Sequence, residues 1–109
     1  MRRFVLCLLA VAGSAAAEDW RSMSGAEISE ALTGKTLAYE VAWQEFRVSG
    51  QTLYNAGRDN WGYWRVEGDR YCSQWPPQGG WDCYNLESDG HDVRFVESNG
   101  DVTIGRFVD

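Results

Sequence analysis

From Lys35 onward the chain alternates short runs of large apolar residues with clusters of turn-forming residues, and that rhythm leaves few folds open to it. Leu37, Tyr39, Val41 and Trp43 alternate with Ala38, Glu40, Ala42 and Gln44, the period of a half-buried strand. Further strands are predicted over 51–55, 61–66, 70–75, 81–87, 92–97 and 102–107. Gly50, Gly57-Arg58-Asp59-Asn60, Gly68-Asp69, Pro76-Pro77-Gln78-Gly79-Gly80, Asp89-Gly90 and Asn99-Gly100 fall between them. Regular strands with turn chemistry in the gaps predict an antiparallel meander. The expected fold is mainly all-β: a strongly bent sheet or a small barrel of six to eight strands, with one short helix packed on it.

That helix is the only one legible. Ser24 and Glu27 have the spacing of a capping box, Ile28, Ala31 and Leu32 make an apolar stripe, and Gly34 is a stop signal. Two or three turns are marginal in isolation, so the helix must dock on the sheet.

Two hairpins can be set in register. A two-residue turn at Gly68-Asp69 pairs Glu67 with Arg70, Val66 with Tyr71 and Trp64 with Ser73, and it lays Trp75 across Gly62. A symmetric loop about Pro77-Gln78 then brings Cys72 opposite Cys83 and Tyr71 opposite Tyr84. Directly opposed, non-hydrogen-bonded positions bring Cα atoms close enough for a disulfide. Counting agrees, since Cys7 lies in the leader described next and leaves two cysteines.

Residues 1–17 read as a secretory signal peptide: Arg2-Arg3, an apolar run over 4–12, then small residues ending in Ala-x-Ala before Glu18. The apolar run is shorter than the ~20 residues a membrane helix needs. The expectation is export to the periplasm or beyond, an oxidised cysteine pair, and a single small disulfide-stapled domain over 18–109. That segment carries eight basic against sixteen acidic residues, a net of −8. Such a balance speaks against nucleic acid, which needs a positive footprint, and against anionic membranes. The mature chain is expected to be a monomer that does not insert in the membrane.

The register divides the side chains into two faces. One collects Gly62, Trp64, Val66, Tyr71, Trp75, Tyr84 and Leu86, and reads as core. The other collects Trp61, Tyr63, Arg65, Cys72, Gln74, Trp81, Cys83 and Asn85, mixing aromatic rings with polar groups. Either the helix covers this second face, or a bulge changes the alternation, or it is a functional surface. Aromatic area beside fixed hydrogen-bonding groups suits a small polar or sugar-like ligand, so Trp61, Tyr63, Arg65 and Trp81 are the candidate ligand-binding residues.

Enzymatic readings find little support. His91 follows the Asp89-Gly90 turn, and no nucleophile and oriented base can be picked out by spacing. The cysteine pair and this single histidine are too few for a zinc site, the acidic residues lack calcium-loop spacing, and no phosphate-cradling glycine loop is present. No catalytic residue, metal or cofactor is expected.

The stretch Gly62-Tyr63-Trp64-Arg65-Val66-Glu67-Gly68-Asp69-Arg70-Tyr71-Cys72, with Trp81-Asp82-Cys83-Tyr84, resembles small secreted bacterial proteins of unknown function. Those share a leader, a short helix, a Gly-x-Trp strand, a Gly-Asp turn and paired cysteines, and the resemblance implies no activity. The chain is also similar to lipocalin-like β-barrels in setting a helix against a meander with a Gly-x-Trp motif. Here the motif lies mid-chain, and seven short strands are few for a full barrel, which argues against a deep ligand cavity.

Two functions are expected from this reading. The first is an exported, non-catalytic binding module for a small polar, sugar-like or lipid molecule. The alternative is an envelope protein-interaction or inhibitor module whose pre-organised loop presents Pro76, Pro77 and Gln78.

Overall fold

The computed structural model describes residues 19–108; the leader read at 1–17 lies outside the described residues. The elements in order are β1 (Arg21–Ser22), α1 (Gly25–Leu32), β2 (Lys35–Ala38), β3 (Trp43–Phe46), β4 (Gln51–Asn55), β5 (Asp59–Glu67), β6 (Arg70–Gln74), β7 (Asp82–Ser88), β8 (Asp92–Val96) and β9 (Val102–Val108). From β2 to β9 each strand pairs antiparallel with the next. β9 then returns to β2, with Leu37 opposite Phe107. The meander is thus a closed barrel of eight strands, and closure satisfies the edges that an open sheet would expose.

The eighth strand comes from a stretch that the alternation assigns to one. Residues 37–44 do not run straight. The backbone reverses at Glu40-Val41, where the Tyr39 N–H donates to the Ala42 carbonyl at 2.8 Å, and Ala38 pairs with Trp43. The tip contains no glycine, proline or asparagine, and no non-glycine residue among those described has a positive φ. A turn with ordinary backbone angles leaves no signal in composition. The reversal also changes parity: Val41 stands 82 % exposed at the tip, and Gln44, predicted on the opposite face from Leu37, is buried.

The two central hairpins keep the predicted register. Glu67 faces Arg70, Val66 faces Tyr71 and Trp64 faces Ser73; Tyr71 faces Tyr84 and Cys72 faces Cys83. The Cys72–Cys83 disulfide forms at a Cα separation of 4.0 Å. A disulfide fits a protein outside the cytoplasm, and no helix among the described residues is long and apolar enough to cross a membrane.

The helix stoppers one end of the barrel. Its capping box is complete, with Ser24 Oγ accepting from the Glu27 N–H at 3.2 Å and the Ser24 N–H donating to Glu27 Oε1 at 2.8 Å. The first turn rests on the β5–β6 turn. The Gly25 N–H donates to Asp69 Oδ1 at 2.8 Å, and a Cβ at Gly25 would lie 2.0 Å from the Gly68 carbonyl oxygen, so only glycine permits this approach. Ile28 and Leu32 are fully buried and join Leu37, Phe46, Trp64, Tyr71, Leu86, Val93 and Phe95 in one core. The helix therefore fills the lumen at this end and does not cover the mixed outer face. Trp64 completes the closure, its Nε1–H donating to the Arg47 carbonyl at 2.9 Å and its ring meeting Phe46 edge-on at 5.6 Å. β1, not foreseen in the sequence, pairs with the end of β7 beyond the last β6 partner, with Ser22 opposite Glu87.

Candidate functional site

Since β2 to β9 form an up-and-down meander, alternate turns gather at the two ends. The β3–β4, β5–β6 and β7–β8 turns lie at the helix end, and the β2–β3, β4–β5, β6–β7 and β8–β9 turns form the opposite rim. Inside that rim the barrel opens into a cavity of about 470 Å³, in the range of small-molecule sites. Eight strands enclose a lumen just wide enough to be filled by side chains or to hold one small ligand. Here the two outcomes occupy opposite ends.

A chain of rings runs round the cavity wall. Tyr84 meets Phe95 at 6.2 Å between centroids, Phe95 meets Tyr39 at 6.0 Å, Tyr39 meets Tyr54 at 6.2 Å and Tyr54 meets Trp75 at 6.1 Å. The five rings come from five different strands or strand ends, each an inward position of the alternation. Tyr71 lies beneath them and touches both Phe95 (5.2 Å) and Tyr84 (6.1 Å). Trp75 lies flat against β5 because Gly62 has no side chain: a Cβ there would stand 2.5 Å from a carbon of the Trp75 ring. That contact was legible in the sequence. The indole Nε1–H then donates to Ser73 Oγ at 3.2 Å.

The floor is polar and satisfied. The Tyr39 hydroxyl donates to Gln44 Oε1 at 2.7 Å, and Gln44 Nε2 donates to Thr52 Oγ1 at 2.8 Å and to the Tyr71 hydroxyl at 3.2 Å. The Thr52 hydroxyl in turn donates to the Glu45 carbonyl at 2.7 Å. A network with every member partnered fixes its side chains in place. Burial pushes the Tyr71 phenol up to about 12, outweighing the hydrogen bonds with Ser73 and Gln44 that favour the anion. Burial raises Tyr39 as well, with the neighbouring tyrosines adding to it. Tyr84 is raised first by burial and then by the charges of Glu97 and Asp82. The raised phenols of Tyr39, Tyr71 and Tyr84 are therefore neutral hydrogen-bonding groups at ordinary pH.

The residues singled out in the sequence lie elsewhere. Trp61, Tyr63 and Arg65 stand on the outer face of β5, and Trp81 precedes β7 on the same outside surface. The Arg65 guanidinium sits 3.9 Å over the Trp81 ring and donates to the Glu67 carboxylate. Trp61 is held by a different cation, Arg47, at 4.8 Å. The structure thus brings Arg65 and Trp81 together, while Trp61 and Tyr63 are more than two-fifths exposed. Cys72, directly opposite Arg65, is fully buried although it faces outward. Glu67 stands beside the two cysteines, but sulfurs joined to each other offer no thiolate to a metal.

Pro76, Pro77 and Gln78 are exposed on the cavity rim. Gln74 Nε2 donates to the Gly79 carbonyl at 2.7 Å and the Gln78 N–H to the Trp75 carbonyl at 3.1 Å, which folds the loop back on β6. His91 lies exposed in the β7–β8 turn, remote from the cavity. There Asp89 Oδ1 accepts from the His91 and Asp92 N–H groups at 2.9 and 2.7 Å, which holds its carboxyl below the usual range.

Sequence reasoning missed Tyr39, Gln44, Tyr54, Phe95 and Glu97 as site residues. The available signal was the core face itself: extended beyond β5–β7 to the other strands, its inward positions near the rim are aromatic. No protein-family model, curated protein or solved structure matches the chain.

Proposed function

We propose that this chain is an exported, non-catalytic, monomeric binding module that holds one small amphipathic molecule inside the mouth of its barrel, in the periplasm or outside the cell. The observation that carries the reading is the cavity of about 470 Å³ walled by linked aromatic rings over a satisfied polar floor. Rings supply contact area, while the few polar groups reaching the cavity, among them Asn60, Ser73 and Thr103, supply orientation. The neutral phenols support binding over catalysis.

Titration with the neutral fluorophore N-phenyl-1-naphthylamine tests it. Binding with a rise in probe emission, quenching through Trp75 and loss on Ala42→Phe, which puts a ring into the mouth, is the expected result. A probe that does not bind, or binds the Ala42→Phe variant equally well, would overturn it.

The alternative reading, an interaction or inhibitor module, is favoured by one observation. The loop carrying Pro76, Pro77 and Gln78 is exposed, braced by Gln74, and joins two strands tied by the disulfide. It requires that replacing Pro76-Pro77 by Gly-Gly abolish capture of a partner from an envelope extract; unchanged capture refutes it.

A further inference from the structure

The cavity is sided in charge as well as in polarity. Glu40 and Glu97 are among its lining residues, and among the described residues no lysine, arginine or histidine lines it. Glu97 and Asp82 both raise the Tyr84 phenol, so their field reaches the ring wall. Arg58 lies in an adjoining hollow at the β4–β5 turn, next to Asp59 in the same hollow. Six aromatic residues, Tyr39, Tyr54, Tyr71, Trp75, Tyr84 and Phe95, line the space, and the faces of such rings are electron-rich.

An anion entering would meet two carboxylates and the negative faces of rings, with no cationic side chain among the described lining residues to receive it. A cation meets the reverse. Resting on the binding-module reading, we infer that the ligand is an organic cation, an ammonium group carried on a small apolar body. Its charged head is held among the aromatic rings with Glu97 and Glu40 at the mouth. Cation–π attraction strengthens where water is excluded, and rim carboxylates draw the cation in over roughly a Debye length. The acidic balance of the domain, eight basic against sixteen acidic residues in 18–109, acts in the same direction.

Three probes of nearly one shape separate charge from shape: choline, the uncharged 3,3-dimethylbutan-1-ol, and the anionic 3,3-dimethylbutanoate. Each is titrated into the full folded domain, following the Trp75 indole N–H and the ligand methyl protons by NMR. Choline should bind about tenfold more tightly than the alcohol, equivalent to about 1.4 kcal/mol, and the butanoate most weakly. The choline methyl protons should move upfield from the ring currents. Glu97→Gln should weaken choline severalfold and leave the alcohol unchanged.

Equal binding of choline and the alcohol, tightest binding of the butanoate, or no binding of choline overturns the inference. So does a Glu97→Gln variant that weakens both alike. The naphthylamine titration is independent of charge, so the cavity reading stands or falls separately.

Discussion

The two ends of this barrel are built by the same alternation and filled in opposite ways. At the helix end, Ile28 and Leu32 enter the lumen beside Phe46 and Trp64, and all but Trp64 are fully buried. At the open end the inward positions carry rings with polar atoms, and they line a cavity where the other end holds the helix. The difference teaches that an eight-stranded lumen is a fixed volume to be shared: a plug placed at one end supplies the core, and frees the other end from having to be one.

Truncation should break the comparison most clearly. Phe46→Ala at the closed end should cost about 3–5 kcal/mol of unfolding free energy. Tyr54→Ala at the mouth should cost less than half of that and abolish naphthylamine binding. Equal losses in urea titrations would mean that the ends do not divide the work of stability and binding.

Second in size is the staple. Cys72→Ala with Cys83→Ala, or reduction, should lower stability by roughly 3 kcal/mol, the chain-entropy value for a loop of about a dozen residues. It should loosen the rim loop between β6 and β7 before the helix end, as hydrogen exchange would reveal.

The buried phenols predict an alkaline limit. An unfolded tyrosine titrates near 10, whereas folded Tyr71 is pushed up to about 12. Its contribution is fully present below pH 10 and is lost as pH rises toward 12, because the unfolded chain releases a proton that the folded one keeps. The slope is about 1.4 kcal/mol per pH unit. Tyr71→Phe should flatten the part of the alkaline unfolding curve that Tyr71 carries; an unchanged curve would place the titration elsewhere.

The smallest effect sharpens the boundary between the ends. Ser24→Ala removes the helix cap and should cost about 1 kcal/mol, with probe affinity unchanged. Altered affinity would mean that the plug and the cavity are coupled through the core.

Legibility followed sequence distance. The β5–β6–β7 register was readable because Gly68-Asp69 and the Pro-Gly loop mark their turns, and the two cysteines confirm one alignment. The helix was readable because Ser24 and Glu27 carry the cap in their own side chains. The Glu40-Val41 turn was not, since its backbone angles make no demand on residue type. That hidden turn cost the eighth strand, the parity of Gln44 and with them the cavity floor.

By itself, then, the sequence determined the β class, the capped helix, the central register and the disulfide partners, all matters of local chemistry between near neighbours. Only the tertiary structure decided closure, since Thr36, Leu37 and Ala38 meet Val108, Phe107 and Arg106 across nearly the whole domain. Closure turned one face of every strand inward. The aromatic surface that looked most open to a ligand lies on the outer wall, and the rings that read as core became the lining of the mouth. Alternation records that a side chain points to one side or the other; whether that side is filled depends on what caps each end, and for that the helix had to be seen in place.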